Sequence, residues 1–503
     1  MFYDNILSEI KTKTKSKFIG KFSNSLNSDI DVNVMTINQS PLTYNFNYSD
    51  GALRDGMGVK KLQFRSSELY HDEYKVLGKT TDSSFITACW LFNSWTDEFD
   101  FYRPFVVFYT SKGTFFYNRI HSNDPELYQI EGLNFTETPI VTSCKINGKD
   151  VLILVSEADG MYTWQYPFEV HKIENAPSIS SMCVHNNRLY VTTQGEKRVV
   201  MFSDSLDPTN FSLDNPNCGV IEMVDEFGKS NKVISFKENL YVFRDFNIAK
   251  LVTFEDRSDI NVSQLYVSNS RIYDKTVCIC GNKVLYLAND GVYVFDGINS
   301  KKMSLNMNNL FNGMDNSNAV AGYSNGNYYL SCTLNFNDDE FVGDEIEDRL
   351  KYNNALVKIN IEKNEVSILR GYDIQDIYVI NDILKCEVCL IINENHGGYS
   401  IGVLDENGKI FDTPTEKFWK SAKTDFGAPE KIKLVKEVSF ETSQDITVEI
   451  ETENETRSFN VNGQMGYQTI KPYVKGKNIS INFRSNKAGN YISNPKIVVR
   501  YYE

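Results

Sequence analysis

The chain has 503 residues, of which 41% are hydrophobic and 23% are charged, and its formal net charge at pH 7 is −14. This composition can build a sizeable core and excludes a largely disordered chain, and the length is typical of about three domains. The negative charge argues against a broad basic surface that binds phosphates by counterion release.

Residues 1–33 are predicted to form an N-terminal arm. The opening stretch, MFYDNILSEIKTKTKSKF, has no apolar run of signal-peptide length, and no window of the chain reaches transmembrane length. The 9 cysteines show no clustered framework and indicate mostly free thiols in a reducing compartment. We therefore expect a protein that is made in a cytoplasm and has no membrane segment.

Short strands and turns follow one another from about residue 85 to 425. In the stretch 281–297, GNKVLYLANDGVYVFDG, two alternating strands flank Asn289, Asp290 and Gly291, which is a hairpin signal because glycine accepts a positive φ. Similar strand-turn-strand units turn at Gly113, at Gly160, at Gly195 and near Asp245.

The turns recur about every 45 residues, which is typical of a propeller blade of four strands. We predict an all-β fold, with a six- or seven-bladed β-propeller and its N-terminal lead-in strands over residues 34–427. A series of β-sandwiches with coincidental spacing is the alternative. Residues 428–503 show strands with turn residues every 8–12 positions and are predicted to form a C-terminal β-sandwich.

Motifs that carry chemistry are missing from the sequence. There is no P-loop, no Rossmann glycine fingerprint, no HExxH and no GxSxG. The pairs Cys278/Cys280 and Cys386/Cys389 are more typical of buried structural thiols than of metal or redox sites. The stretch 156–164, SEADGMYTW, is close to the aspartate box of sialidase-type propellers but has Ala158 where the aspartate belongs. We predict no catalytic residues, no bound metal and no cofactor, and hence no enzymatic activity.

Two stretches resemble segments of a known protein family. The first is DGALRDGMG, 50–58, which resembles the strand and turn that precede the first blade in β-propeller tail proteins of tailed bacteriophages. The second is RVVMFSDSLDPTNF, 198–211, which is similar to a blade strand and its turn in tail-hub, nozzle and packaged-DNA-stabilisation proteins. The predicted structural or assembly residues are Asp50, Gly51, Arg54, Gly56, Gly58, Ser203, Asp204, Asp207, Pro208, Asn210 and Phe211.

The resemblance implies a structural virion protein of the phage tail or neck, made in the host cytoplasm. It implies a homo-oligomeric ring, with a hexamer favoured, that extends and closes the DNA channel. The implied partners are the portal, its adaptor and other tail proteins or fibres, and DNA passes through the lumen without sequence-specific binding. Two alternatives stay open: a carbohydrate-binding or glycan-cleaving propeller that recognises a receptor, and an intracellular propeller scaffold.

Overall fold

A computed structural model describes residues 13–18, 21–22, 26–31, 35–65, 74–76, 80–96, 101–119, 127–165, 169–195, 198–205, 207–252, 260–336, 353–381, 386–394 and 398–502. Within these ranges the regular structure consists of β-strands and one short 3-10 helix, Asn308–Phe311. The predicted all-β class is therefore confirmed.

Seven strands precede the repeated sheets. They are β1 (Lys13–Phe18), β2 (Leu42–Tyr44), β3 (Phe46–Ser49), β4 (Ala52–Asp55), β5 (Gly58–Lys61), β6 (Gln63–Arg65) and β7 (Tyr74–Val76). Strands β6 and β7 pair only with each other within the described residues. Strands β1, β2, β4 and β5 pair with strands from the C-terminal part of the chain, and β3 pairs with β4.

Consecutive strands then form antiparallel sheets of four. The first three sheets are β8 (Ile86–Thr96), β9 (Phe101–Thr110), β10 (Thr114–Arg119) and β11 (Tyr128–Asn134); β12 (Ile140–Ile146), β13 (Lys149–Ser156), β14 (Gly160–Gln165) and β15 (Glu169–Ile173); and β16 (Ile179–His185), β17 (Arg188–Thr193), β18 (Val199–Phe202) and β19 (Gly219–Glu222).

The next three sheets are β20 (Ser230–Phe236), β21 (Asn239–Arg244), β22 (Asn247–Val252) and β23 (Asn261–Val267); β24 (Ile272–Cys280), β25 (Lys283–Ala288), β26 (Gly291–Phe295) and β27 (Ser300–Lys302); and β28 (Val320–Ser324), β29 (Asn327–Cys332), β30 (Ala355–Asn360) and β31 (Glu365–Arg370). As predicted, Gly113, Gly160, Asp245 and Gly291 lie at or beside the turn between the second and third strands of their sheets.

The last repeated sheet joins the two ends of the series. Its strands β32 (Asp373–Asn381), β33 (Cys386–Glu394) and β34 (Gly398–Asp405) are followed in space by the N-terminal strand β5, which pairs with β34. Two short strands, β35 (Lys409–Ile410) and β36 (Thr413–Pro414), extend this sheet beyond β5. A strand from the start of the chain therefore supplies the fourth position of the final sheet.

These sheets are arranged around an axis. The first strand of each sheet contacts the first strand of the next from β12 to β32, β32 contacts β8, and β8 contacts β13. A buried hydrophobic cluster lies between each pair of neighbouring sheets, including the last and the first. Because sheets packed radially bury both their faces, this arrangement confirms the predicted β-propeller class. We call these sheets the sheet ring.

A partly buried ion pair fastens the link between two consecutive sheets of the ring to the second of these sheets. The Arg244 guanidinium, at the end of β21, contacts Asp225 in the link that leads from β19 to β20. Arg244 also donates to the carbonyl of Gly228 at 2.7 Å. The Asp225 carboxylate in turn accepts a bond from Gln264 on the outer strand β23 at 2.7 Å.

The remaining strands form two sheets at the C-terminal end, which we call the C-terminal unit. They are β37 (Lys417–Lys420), β38 (Ile432–Thr442), β39 (Ile446–Thr452), β40 (Thr456–Val461), β41 (Gln464–Ile470), β42 (Val474–Gly476), β43 (Ile479–Ser485) and β44 (Tyr491–Tyr502). One sheet has the order β3-β4-β44-β38-β41, with β1 beside β44 and β42 beside β38, and the other has the order β2-β37-β43-β39-β40.

The C-terminal unit contains strands from outside the predicted range 428–503. It includes β1 from the predicted arm, and β2, β3, β4 and β37 from the range predicted as propeller. These pairings join strands that are distant in sequence, such as β37 with β43 and β4 with β44. Local periodicity does not report such long-range pairing.

Candidate functional site

A cavity of about 450 Å³ lies at the axis of the sheet ring. Residues from the first strands of five different sheets line it, so it is the central channel of the ring. The lining consists of Cys89, Trp90, Leu91, Val141, Thr142, Ser143, Leu152, Cys278, Ile279, Ala321, Gly322, Tyr323, Ile377, Tyr378 and Val379.

The sequence of each inner strand determines what reaches the channel. In β32 the side chains of Ile374, Ile377 and Ile380 are buried, while Asp376 and Tyr378 between them are only partly buried. A bulge between Ile374 and Asp376 determines which side chains of β32 are buried and which are partly exposed. Strands β8, β16, β20 and β24 carry similar irregularities. Bulges re-aim side chains locally, so the inner strands present polar groups inside an apolar wall.

Tyr378 in the channel wall forms a hydrogen-bonded pair with Asp376 of the same strand, and we call these two residues the channel pair. The Tyr378 hydroxyl donates to Asp376 Oδ2 at 2.6 Å, and the backbone N–H of Ile377 donates to Oδ1 at 2.9 Å. Burial raises the pKa of Asp376, although these two bonds and the charges of Lys275 and Lys232 oppose the shift. The carboxyl therefore takes up a proton more readily than an exposed aspartate does.

Aromatic rings flank this pair. Trp90 and Tyr378 meet edge to face with ring centroids 5.6 Å apart, and Tyr323 lies in the same cavity wall. Gly322 lets β28 approach β32 closely, because a Cβ there would lie 2.9 Å from Ile377 Cγ2. A second cavity of about 380 Å³ begins at Asp376 and is bordered by hydroxyl side chains, among them Thr87, Thr110 and Thr138.

Burial shifts the pKa of several thiols and of one histidine among the described residues. The nine cysteines are free thiols, and burial raises the pKa of Cys183 to about 12. His185 Nδ1 lies 2.8 Å from Ser235 Oγ, and burial lowers the pKa of this histidine. Among the residues that the structure describes, no three His, Cys, Asp or Glu side chains are placed to hold a metal ion.

The first sequence motif lies where the sheet ring meets the C-terminal unit. Asp50 and Gly51, both at positive φ, make the two-residue turn between β3 and β4. Arg54 lies over the Tyr491 ring at 5.0 Å within the C-terminal unit. Gly56 and Gly58 lead into β5 of the sheet ring, and both are packed against backbone atoms.

The two glycines have different neighbours. A Cβ on Gly56 would lie 2.7 Å from the Asn45 carbonyl oxygen, and one on Gly58 would lie 2.4 Å from the carbonyl oxygen of Lys409. Gly58 pairs with Asp405 at the start of β5, which we call the closing strand of the ring. The motif precedes the first four-stranded sheet along the chain, and it spans both parts of the fold.

The second motif forms the connection between β18 and β19. Ser203 is buried, and its hydroxyl accepts the Leu189 N–H at 2.9 Å and donates to the Asp204 carbonyl at 3.1 Å. Asp204 Oδ2 accepts from Asn215 Nδ2 at 2.7 Å. The Asp204 side chain, at the start of the connection, therefore holds Asn215, which lies shortly before β19.

The rest of the motif makes a capped turn. Asp207 Oδ1 accepts the Thr209 N–H at 3.0 Å, and the Asn210 N–H donates to the Asp207 carbonyl at 3.0 Å. Pro208 is buried, and Phe211 is buried in the hydrophobic cluster between the second and third sheets of the ring. Leu206 lies outside the described residues. The residues of this motif are distant in sequence from the channel pair Asp376 and Tyr378.

A buried polar network that the sequence did not reveal joins the C-terminal unit to the ring. Asn45, at φ 60°, donates from Nδ2 to the carbonyls of Arg370 at 3.0 Å and Glu416 at 2.6 Å, and its Oδ1 accepts the Arg370 N–H at 2.7 Å. Lys417 Nζ lies 3.5 Å from Asp55 Oδ1, and burial lowers the pKa of this lysine while Asp55 opposes the shift.

Aromatic packing completes the same contact. Tyr44 stacks on Phe418 with centroids 5.4 Å apart, and the Arg370 guanidinium lies 4.0 Å from the centroid of Phe336. The sequence around Asn45 contains no motif that would indicate its role in this network. Asp55 was the one available hint, because it stands inside the first motif.

Comparison of the sequence with protein-family profiles gives no match, and comparison with curated proteins gives none either. Among solved structures, the chain is similar to BBS1N in its complex with ARL6DN, with 10% identity, a TM-score of 0.41 and coverage of 70% of this chain and 100% of that chain. It is also similar to Sqt1 of Saccharomyces cerevisiae, with 9% identity, a TM-score of 0.40 and coverage of 80% of this chain and 98% of that chain. The propeller assignment rests on the sheet topology described above.

Proposed function

We propose that the chain is a non-enzymatic structural protein of a tailed-phage virion, which forms a ring at the head–tail junction or in the tail. The observation that carries the proposal is the location of the two phage-like motifs. One of them joins the C-terminal unit to the closing strand of the ring, and the other caps the connection between β18 and β19. Residues that a family shares for architecture are expected at such joints rather than in a pocket.

The proposal includes a finer architecture. The four-stranded sheets from β8 to β31, together with the closing sheet that β5 completes, are interpreted as seven blades. The C-terminal unit is interpreted as a β-sandwich, because Val435, Val438 and Phe440 from one sheet share a buried cluster with Val448 and Phe483 from the other. A closed propeller with a docked sandwich is a stiff block suited to repeated assembly.

The proposed partners follow from the same assembly. Copies of the chain would form a closed ring, with a hexamer favoured, between the portal or its adaptor and further tail proteins or fibres. A net charge of −14 disfavours tight DNA binding and suits a lumen through which DNA slides. The described residues contain no helix with the length and apolar character that a membrane crossing requires.

Carbohydrate recognition is a second candidate, and the central cavity favours it. Trp90, Tyr323 and Tyr378 offer aromatic surfaces beside the hydroxyls of Thr142 and Ser143. A pocket of about 450 Å³ is within the usual range for small ligands. A glycan array probed with the full-length chain tests it: binding that Tyr378→Ala and Trp90→Ala abolish supports recognition of a sugar, and no binding removes this candidate.

The decisive experiment for the leading proposal is deletion of the gene from the phage genome that encodes it. We expect particles that lose packaged DNA or lack tails, and recovery when the intact chain is supplied in the same cells. A variant with Gly58→Ala, which disturbs the closing strand, should complement poorly, whereas Gly195→Ala should complement fully. Intact, infectious particles from the deletion strain would refute the proposal.

A further inference from the structure

Two strand edges of the described chain lack the charges that ordinarily protect a free edge. Exposed edges present unpaired N–H and C=O groups, and native proteins discourage pairing there with charged side chains. Strand β23 is the outer strand of its sheet and β41 is the end strand of its sheet. Their sequences, NVSQLYV and QMGYQTI, contain no Asp, Glu, Lys or Arg.

The other free edges among the described residues are different. Each of the outer strands β11, β15, β19, β27, β31 and β40 carries at least one charged residue, namely Glu131, Glu169, Lys172, Glu222, Lys301, Lys302, Glu365, Arg370 and Arg457. Strands β2 and β3 end their sheets without charges, but both contact β31 of the sheet ring and are therefore covered. Strand β36 also ends its sheet without a charged residue, but it has only two residues and one of them is Pro414, which has no backbone N–H. Apart from the inner strands at the axis of the ring, the described edge strands of four or more residues that are neither charged nor covered are therefore β23 and β41.

Both edges expose apolar or aromatic side chains. Val262 and Val267 on β23 are 38% and 52% exposed, and Tyr467 on β41 is 52% exposed. Residues 261–264 are all exposed, as are Gln464, Gly466, Tyr467 and Thr469. Solvent-facing valine and tyrosine on a strand edge favour pairing with another strand, because β-branched and aromatic residues suit cross-strand contacts.

The regular part of each edge has the same length. A register shift opposite Ile248 and Ala249 interrupts β23, and another opposite Glu441 and Thr442 interrupts β41. The uninterrupted segments are 261–264 and 467–470. Each carries an alternating row of outward N–H and C=O groups that no other described strand pairs with.

We propose that the segment 261–264 of one copy of this chain pairs, antiparallel, with the segment 467–470 of a second copy. The inference rests on the proposed ring and names the contact that would build it. The two edges belong to different sheets of one chain. When two copies pair, one copy keeps a free β41 edge and the other keeps a free β23 edge, so further copies can add by the same contact from head to tail. Such a heterologous interface closes into a ring when the rotation between copies permits.

The matching absence of charge identifies the second copy as the occupant. A charged residue on either edge would be buried without a partner when the two edges meet, which is costly. Neither edge requires a partner of opposite charge, so the neutral edge of another copy is complementary. Antiparallel pairing is also slightly more stable per residue than parallel pairing.

The test uses the full-length chain in sedimentation velocity over a range of concentrations. Val262→Lys and Tyr467→Glu each place a charge on one edge, and each should weaken association by about tenfold or more. Ile298→Lys is the matched control, because Ile298 is an exposed apolar residue in the turn between β26 and β27. It should leave association unchanged.

A double variant tests which edges meet. Val262→Lys combined with Tyr467→Glu places opposite charges on the two edges, within reach of each other directly or diagonally. It should restore most of the association that either single change removes. Pairing of β23 with β23, or of β41 with β41, would bring like charges together and give no recovery, which would overturn the proposal.

Hydrogen exchange gives a second measurement that needs no variant. Amides in 261–264 and 467–470 should exchange more slowly in the assembled chain than in the dilute monomer. Unchanged exchange in both segments, or full association of Val262→Lys, would overturn the proposed pairing. If virions nevertheless contained a ring of this chain, the proposed function would stand without this pairing. Association through these edges into dimers or open filaments only would support the pairing and refute the ring.

Discussion

Replacement of Asn45 by alanine should loosen the joint between the sheet ring and the C-terminal unit. The change removes three hydrogen bonds. The bond from Nδ2 to the Arg370 carbonyl and the bond from the Arg370 N–H to Oδ1 are buried, and the bond from Nδ2 to the Glu416 carbonyl is partly buried. At about 1 kcal/mol net for each bond, this costs about 3 kcal/mol. The positive φ of 60° adds about 1 kcal/mol for alanine, since asparagine tolerates the left-handed region better.

The expected loss of unfolding free energy is therefore about 4 kcal/mol, measured by urea unfolding followed by circular dichroism. Asn325→Ala is the matched control, because Asn325 also has a positive φ but lies exposed in the turn between β28 and β29. It should cost only about 1 kcal/mol. If the two alanine variants lose the same free energy, the buried network does not hold the joint and the reasoning is refuted.

Three further changes test other parts of the fold. Gly58→Ala should lower the thermal midpoint, since its Cβ would meet backbone atoms of the β35 segment, whereas Gly195→Ala, with no atom within 4 Å of an added Cβ, should not; equal midpoints would contradict this. Burial alone would raise the pKa of Asp225, but the hydrogen bond from Arg244 and the others to it hold that pKa below its ordinary value. Because the pKa of Asp225 is lower in the folded chain than in the unfolded chain, this stabilisation is present above about pH 4 and is lost as the pH falls further. The free energy of unfolding should therefore fall less steeply with decreasing pH in Asp225→Asn than in the unchanged chain. An equal slope in the two proteins would contradict this role of Asp225. Asp204→Asn replaces one of the two carboxylate oxygens with an NH2 group, which would face the amide donor of a neighbouring asparagine. It should lower the thermal midpoint of unfolding and increase proteolysis of residues 203–218. Unaltered proteolysis would show that Asp204 does not hold this connection.

The sheet ring could be predicted because its evidence is local. Alternating residues and turn glycines such as Gly160 and Gly291 are sequence signals for hairpins, and both glycines have positive φ in the structure. The terminal strands were also visible as strands, and β38 covers the predicted stretch IKLVKEVSFET. Local patterns of this kind are set by neighbours within a few residues.

The closing strand and the joint could not be predicted because they depend on pairing between distant residues. Nothing around Gly58 indicates that β5 pairs with β34, some 340 residues later. The network of Asn45, Arg370 and Lys417 likewise brings together three segments that look unrelated in the sequence. The channel pair Asp376 and Tyr378 was missed because an i, i+2 pair on a strand is common and becomes special only at the axis of the ring.

The most direct test of the account is the location of this chain in the particles of the phage that encodes it. Gold-labelled antibodies against the chain, imaged by electron microscopy on purified virions, should mark the head–tail junction or the tail in a constant number of copies per particle. Label that is absent from virions and confined to the infected cell would contradict the proposed structural role.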